Sequence, residues 1–439
     1  MTNQSSQTVL ILGTGLTGLT AAYYLAQRGY QPALLDAPGW QDGFQSNPSD
    51  ATPMLFGRYR ETRRLLGMIN EGKVGQLETA IPLEFALPDG QIVAYRSAHL
   101  PGALQWMMSL FSFHGLAWHD RWTLFSHLEQ IWEKAKTLPA DLESQVAEEW
   151  LASIGQSQNA REYIWAPLAQ WLTGNALARL SAATFVRLLS TIFLGQAMDA
   201  RLTHIEGTIG NRFLTHMKTA LHQRGVQIRP EPHPPDLHFG PEGISGVRLH
   251  DGSLLRAQWY IAGLSHQNLL SLLPENLLTR YAYFAHLSEL ESFPEIAVRF
   301  TYRTDLPRPR LILLAGRQFQ QVTITALGPQ AVDCRLSAIG NPALMELNRE
   351  ELLALGGNAL QALVPELEQG VRLSAEVFRD DQAALSLRPG AALLRPIQQS
   401  PLKNLLVAGA WTDTGWPANV ESAVVSARRC AQIIAGRAT

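Results

Sequence analysis

Gly13, Gly15 and Gly18 follow directly on the apolar run Val9–Leu12. At this spacing the first glycine permits a tight turn and the second lets backbone approach a pyrophosphate. The third lets the following helix lie close on its sheet. Leu16 and Thr17 contribute backbone N–H groups at the helix start, where the dipole favours phosphate. Asp36 closes the next apolar run, Pro32–Leu35, and is placed to accept from a ribose hydroxyl. These residues read as a dinucleotide site. A second cluster lies at the far end of the chain: Gly409, Asp413, Trp416, Pro417, Asn419 and Val420, directly after the apolar run Leu405–Val407.

Each cluster needs a strand, a turn and a helix to position it. The first helix is expected from Leu16 to Arg28, with Leu19, Tyr23 and Ala26 on its core face and Gly29 as its stop. The last begins near Asn419 and buries Val420, Ala423, Val424, Ala427, Ala431 and Ile434. Its N-terminus carries about half a positive charge and would aim donors at the N1 and C2 carbonyl of a flavin, favouring the anionic reduced ring. Gly409 would allow close approach to the cofactor. Trp416 could wall the ring or pack in the core. Asp413 could protonate a departing hydroxyl or cap the next turn. The pair of clusters, one at each end, implies FAD.

Composition narrows the field. Charged residues are only 17% of 439 and the net charge is −2, which gives no electrostatic case for nucleic acid. Cys334 and Cys430 are far apart and fit neither a disulfide framework nor a metal site, so a reducing, cytoplasmic setting is expected. No signal peptide fits Met1–Gln7, and the longest nearly apolar segment, Ala103–Phe113, is too short for the ~20 residues a span needs. The histidines include no H-E-x-x-H pair, so no metal is expected. Ser265-His266 lacks a G-x-S-x-G elbow, and Asp380-Asp381 reads as a solvated turn.

The expected fold is α/β: a discontinuous Rossmann-like FAD-binding domain with a mixed helical and antiparallel-sheet substrate domain. The FAD-binding pieces are 1–79, 201–289 and 386–439; the substrate domain comprises a helical part, 80–200, and a sheet part, 290–385. Helical spacing marks 122–136, 148–154, 159–172, 182–194 and 350–363, and strand patterns mark 296–302, 311–314, 321–327, 332–338 and 371–378.

The segment W-T-D-T-G-W-P-A (411–418) with E-S-A-V-V-S (421–426) resembles the FAD-dependent amine oxidase and carotenoid desaturase superfamily, and within it the hydroxysqualene dehydroxylases. F-G-R-Y-R-E-T-R-R-L-L (56–66), E-W-L-A-S-I-G-Q-S (149–157), W-A-P-L-A (165–169) and L-R-P-G…L-L-R-P (387–396) carry the likeness across most of the chain. The resemblance implies cofactor contacts at Gly57 and Arg58. It further implies non-covalent FAD, a hydroxysqualene-like isoprenoid as substrate, hydride delivery from flavin N5, and an external reductant. A carotenoid-type desaturase running hydride transfer the other way is the same-class alternative.

This chain departs from its relatives at several points. Asp36 replaces Glu, Ala37–Gly43 lacks the Gly-Gly-Arg loop, and Ala410 replaces an acid after Gly409. The segment Pro230–Pro235 replaces an adenine cradle, and Ser422 and Ala427 replace glycines. Each lost charged hydrogen bond is typically ~1.5–3 kcal/mol, so partial FAD occupancy is expected. A non-catalytic lipid-binding paralogue is the rival reading. Seven of the eleven tryptophans fall between Trp106 and Trp171, with Trp118, Trp122, Phe125 and Trp132 at helical spacing near Arg121, Lys134 and Lys136. Such a stripe is either an aromatic core or a lipophilic tunnel and interfacial anchor. The latter implies peripheral contact with the inner membrane face. The expected tunnel lies between the helical insertion and the 290–385 sheet and ends near Trp416.

Overall fold

In a computed structural model of the chain, residues 8–40, 53–70, 72, 74–98, 100, 103–134, 141–196, 198–304, 308–328 and 330–437 are described. The chain opens with β1 (Thr8–Leu12), α1 (Leu16–Ala26) and β2 (Gln31–Asp36), followed by α2 (Arg60–Ile69). Gly29, at φ 83°, turns the chain after α1. This helix is buried from Leu16 to Leu25 on every side rather than along one stripe, because the sheet, the last helix of the chain and the helix at Thr215–Gln223 pack around it.

The next stretch is not purely helical. It begins with the hairpin β3 (Leu83–Ala86) and β4 (Ile92–Tyr95), then α3 (Ala103–Ser112) and α4 (Trp118–Lys134). The expected helix over 159–172 is interrupted by a π turn, Arg161–Trp165, ahead of Pro167, which begins the helical turns of α5 (Ala166–Thr173). Proline offers no N–H to the helix ladder, so the widened turn falls where one bond is already missing. α6 (Ala182–Phe193) is capped by Ser181, whose hydroxyl accepts from Thr184 N.

β5 (Gln227–Pro230) and β6 (Trp259–Ala262) return the chain to the first layer. There follow β7 (Ser292–Arg303), β8 (Arg310–Leu314), β9 (Gln321–Gly328), β10 (Ala331–Ile339), α7 (Arg349–Leu363) and β11 (Val371–Leu385). β12 (Leu405–Val407) and α8 (Val420–Arg437) close the chain.

The parallel sheet runs β12-β6-β1-β2-β5, with β1 central and α1 and α8 packed together against it. A parallel sheet of this order is the Rossmann-like layer. The second sheet runs β11-β7-β10-β9-β8-β3-β4 and is antiparallel except where β8 pairs with β3. The hairpin at 83–95, assigned by sequence to the helical part, therefore belongs to the sheet's edge. A small sheet of Met54–Phe56, Leu202–Ile205 and Glu78–Ala80 ties the first FAD-binding piece to the start of the second. Asp380 sits within β11, opposite Glu295 of β7, and not in a solvated turn.

One face of the second sheet carries Ile296, Val298, Phe300, Val322, Ile324, Cys334 and Leu336 into a core closed by α7. Strand alternation turns the intervening residues to the other face. That second face looks toward the parallel layer, and the candidate site lies there.

Candidate active site

The glycine loop has the geometry its spacing implies. Gly13 has φ 100°, and a Cβ there would lie 2.6 Å from Gly263 O. At Gly18 a Cβ would lie 2.1 Å from Gly13 O, so only glycine lets α1 seat on this turn. Gly15 is the N-cap of α1 and supplies no side chain to its orphan donors, and the first turn holds no acid. The N–H groups at this helix start, those of Leu16 and Thr17 included, suit a pyrophosphate. Asp36 ends β2 half-buried, one strand over. The residues present fit FAD at this end.

The proline-rich segment at 230–235 carries a different construction. Glu231 N donates to Asp36 O at 2.7 Å. The buried Glu231 carboxylate accepts from Arg229 Nε at 2.9 Å and from His250 Nδ1 at 2.9 Å. Burial works to raise the Glu231 pKa, but the His250 hydrogen bonds and Arg229 outweigh it and hold the pKa below the ordinary value.

The C-terminal turn is fixed by a residue whose role spacing does not reveal, the arginine of L-L-R-P. Arg395 is half-buried and donates to four carbonyls: Ala410 at 3.0 Å, Trp411 at 3.1 Å, Thr412 at 2.6 Å and Trp416 at 2.6 Å. Desolvation pulls its pKa down to about 10. Gly409 has a packing role inside the turn itself. A Cβ would lie 2.3 Å from Trp411 Nε1, which donates to Leu264 O at 2.8 Å. The glycine makes room for that indole.

Trp416 is half-buried, edge-on to Tyr59 with centroids 5.3 Å apart. With Pro417 and Asp413 it lines a small outer pocket that also holds Arg395. Asp413 is exposed; its Oδ1 accepts from Gly415 N, and Arg429 Nη1 donates to its carbonyl. Asp413 thus caps the turn it sits in. Gly57 and Arg58 also stand apart from the cleft. A Cβ at Gly57 would overlap Met198 O at 1.7 Å, and Arg58 pairs with the buried Asp199 at 3.1 Å.

Asn419 and Val420 do reach the cleft, a space of about 1100 Å³ counted to its open mouth. It is bounded by Tyr59, Trp171 and the second sheet's inner face, including Glu295 and Arg335. Asn419 Nδ2 lies 3.4 Å from Tyr59 Oη, and its Oδ1 caps Ser422 N at 3.0 Å. The start of α8 therefore faces this cleft, as a flavin-directed helix must. Glu295, Arg335 and Tyr59 were missed from sequence, because side chains from three separate segments meet only after both sheets form.

A second hollow, about 670 Å³ counted to its open mouth, lies between the helical insertion and the 83–95 hairpin. Leu83, Phe85, Tyr95, Phe113, Leu124, Trp165 and Phe193 are among its walls, and every lining residue is apolar or aromatic. Phe193 packs edge-on against Phe56 at 5.8 Å, and Phe56 lies 5.4 Å from Trp171 of the cleft. These three rings partition chamber from cleft. The expected tunnel is thus two spaces, and the inner wall of the chamber is the 83–95 hairpin. On the outer side of α3 and α4, Trp118 is 61% exposed, Trp122 49% and Met108 48%. Phe111 joins both indoles, with centroids 5.4 and 5.3 Å away. Arg121 is not on that surface: it is buried and donates to Leu116 O and Phe111 O. Lys136 and the side chains of Trp106, Trp132 and Lys134 lie outside the described residues.

His266 packs 6.1 Å from Trp411 and its Nε2 contacts Leu290 O at 3.1 Å, while Ser265 caps the following helix through Asn268 N. This pair is structural. Among the described residues, no helix is long and apolar enough to cross a membrane.

Residues 16–435 match the family described as flavin-containing amine oxidoreductase. The chain belongs to this family. As a member it is an FAD-dependent oxidoreductase with an α/β fold. It is 22% identical over 457 residues to the chloroplastic/chromoplastic 15-cis-phytoene desaturase of Solanum lycopersicum, covering 97% of this chain and 77% of that one. It is likewise 22% identical over 476 residues to the zeta-carotene desaturase of Synechocystis, covering 97% and 96%. Among solved structures, putrescine oxidase bound to putrescine superposes with a TM-score of 0.70 at 15% identity, covering 98% and 99%. Cyclohexylamine oxidase from Brevibacterium oxydans gives 0.67 at 15%, covering 99% of both chains. These last two share the fold.

Proposed function

We propose that this oxidoreductase acts on a long apolar isoprenoid, and that its reaction is the reductive dehydroxylation of hydroxysqualene to squalene. The observation that carries the isoprenoid reading is the chamber walled wholly by apolar and aromatic side chains, one ring partition away from the start of α8. An uncharged chain has no charge to steer it, so its recognition rests on burial at roughly 25 cal/mol per Å². The dehydroxylase reading is supported by the 411–426 motif and by polar side chains on the cleft wall, which a bare hydrocarbon would not use.

When bound, FAD supplies the hydride chemistry. The chain's own residues do the rest. The Gly13–Gly18 turn and the start of α1 would hold the pyrophosphate, Asp36 the ribose, and the start of α8 would favour negative charge on the ring. The apolar chamber excludes water from the substrate. Its outer aromatic surface, Trp118, Trp122 and Phe111, is the membrane-facing side of a cytoplasmic, peripherally bound enzyme that draws its substrate from the bilayer. An external reductant completes the cycle.

A second reading, carotenoid-type desaturation, is favoured by the desaturases among the relatives. One anaerobic assay separates the two. Protein loaded with FAD and reduced by dithionite is given hydroxysqualene, and oxidised protein with a quinone is given phytoene. Squalene from the first arm with flavin reoxidation is the expected result. Product only in the second arm would replace this reading with desaturation. Liposome binding with neither product would support a lipid-binding paralogue.

A further inference from the structure

On β10, Val332, Cys334, Leu336 and Ala338 point into the core beneath α7, so Arg335 and Ser337 point the other way, onto the cleft wall. Gln321 and Thr323 of β9 and Glu295 of β7 line the same wall. The Arg335 guanidinium is held loosely. Its Nη2 lies 3.4 Å from Glu295 Oε1, its Nε 3.4 Å from Ser337 Oγ, and it rides 5.6 Å over the Phe378 ring. Nη1 is buried and has no hydrogen-bond partner among the described residues. The whole residue is 8% exposed. A buried guanidinium donor left without an acceptor is costly, and an acceptor oxygen from a ligand would satisfy it. Nothing in the burial of a bare hydrocarbon calls for a charge pair on this wall.

We propose that Arg335 is a specificity-determining residue that binds an oxygen-bearing group of the substrate. The oxygen accepts from Arg335 Nη1, a hydroxyl hydrogen can be given to Ser337 or Glu295, and the hydrocarbon body runs past Trp171 toward the apolar chamber. The substrate is then an amphiphile, an alcohol of a long isoprenoid chain, and Arg335 selects it over the corresponding hydrocarbon. The length of the hydrocarbon body rests on the isoprenoid reading above; the oxygen site does not.

The test is equilibrium binding of radiolabelled hydroxysqualene and squalene to the detergent-solubilised, FAD-loaded protein. The wild type is expected to prefer the alcohol by at least tenfold, which is about 1.4 kcal/mol. Arg335→Met combined with Glu295→Gln removes both charges together, so neither is left buried and unpaired. This double variant is expected to lose the preference while its squalene affinity and melting temperature stay unchanged. Equal affinity for the two ligands in the wild type, or a preference that survives in the double variant, would overturn the proposal and leave the isoprenoid reading standing. If neither long chain binds, the isoprenoid reading fails, and 3-methyl-2-buten-1-ol decides the oxygen site. Binding of that short alcohol lost in the double variant supports the site, and no binding overturns it.

Discussion

Glu421, in the first turn of the last helix, grips Thr62 near the start of α2. Its Oε2 accepts from Thr62 Oγ1 at 2.7 Å and Thr62 N at 2.9 Å, and its Oε1 accepts from Glu61 N at 3.1 Å. Glu61 in turn pairs with Arg428 of the same last helix. One carboxylate thus caps α2 and fastens the two ends of the chain side by side, where the start of α8 enters the cleft.

Removing that carboxylate should loosen both helices. Glu421→Ala is expected to cost about 1.5–3 kcal/mol, the range for a hydrogen bond to a charged group, read from the urea midpoint. Desolvation raises the Glu421 pKa, with the Thr62 and Glu61 hydrogen bonds opposing it. A carboxyl whose folded pKa lies above its unfolded value is penalised above that folded value and relieved as pH falls toward 4.5. Relative to Glu421→Gln, the wild type should therefore gain stability on acidification through this window. A gap that stays flat or moves the other way would remove the titration of Glu421 from the account.

The glycines of the first turn should separate cofactor loss from fold loss. Gly15 has ordinary extended backbone, φ −73° and ψ −170°. Gly15→Val should therefore leave the melting temperature of FAD-free protein nearly unchanged and abolish the flavin absorbance. Gly18→Ala drives a Cβ against Gly13 O and should lower both. Full flavin content in folded Gly15→Val would take this turn out of the site.

The exposed indoles and the chamber should also come apart. Trp118→Ser with Trp122→Ser changes surface side chains, so stability and FAD content should hold while liposome flotation falls severalfold. Leu124→Asp places a charge in the chamber wall, where Leu124 is 3% exposed. It should abolish isoprenoid turnover and destabilise the fold without touching the indoles. Undiminished flotation of the double tryptophan variant would assign membrane contact to another surface.

Acid should unfold the protein partly through two buried histidines. Burial lowers the pKa of His204 and of His266 to about 4; the Leu290 carbonyl opposes it at His266. A histidine depressed in the fold is neutral there, so the unfolded chain binds the extra proton and stability falls as pH drops from about 6.5 toward 4. Each contributes up to about 3 kcal/mol of that loss on the linkage arithmetic. His266→Gln should flatten the fall in melting temperature between pH 6.5 and 4.5. A slope equal to that of the wild type would sink this attribution.

The sequence by itself determined the layers and the nucleotide end. A glycine array after an apolar strand has few conformational solutions, and Gly13, Gly18 and Asp36 stand where their spacing puts them. Hydrophobic period placed β7 to β11, α6 and α7 to within a few residues, except that β11 runs on through Asp380 to Leu385. These are local properties, fixed by φ, sterics and alternation. Tertiary structure alone decided the far end. Gly409 serves Trp411, Asp413 caps its own turn, and Arg395 gathers four carbonyls, because each partner is chosen by how the turn folds back and not by spacing. The tryptophan stripe divided the same way. Helical spacing put Trp118 and Trp122 on one face, but which side of α4 met the chamber and which met solvent was settled by the packing of α3 and the 83–95 hairpin. The cleft's charge pair was invisible for a related reason: Arg335 stands opposite Arg299 and Glu295 opposite Ile339 on neighbouring antiparallel strands, so the guanidinium meets the carboxylate only by lying along the ladder past Ser337.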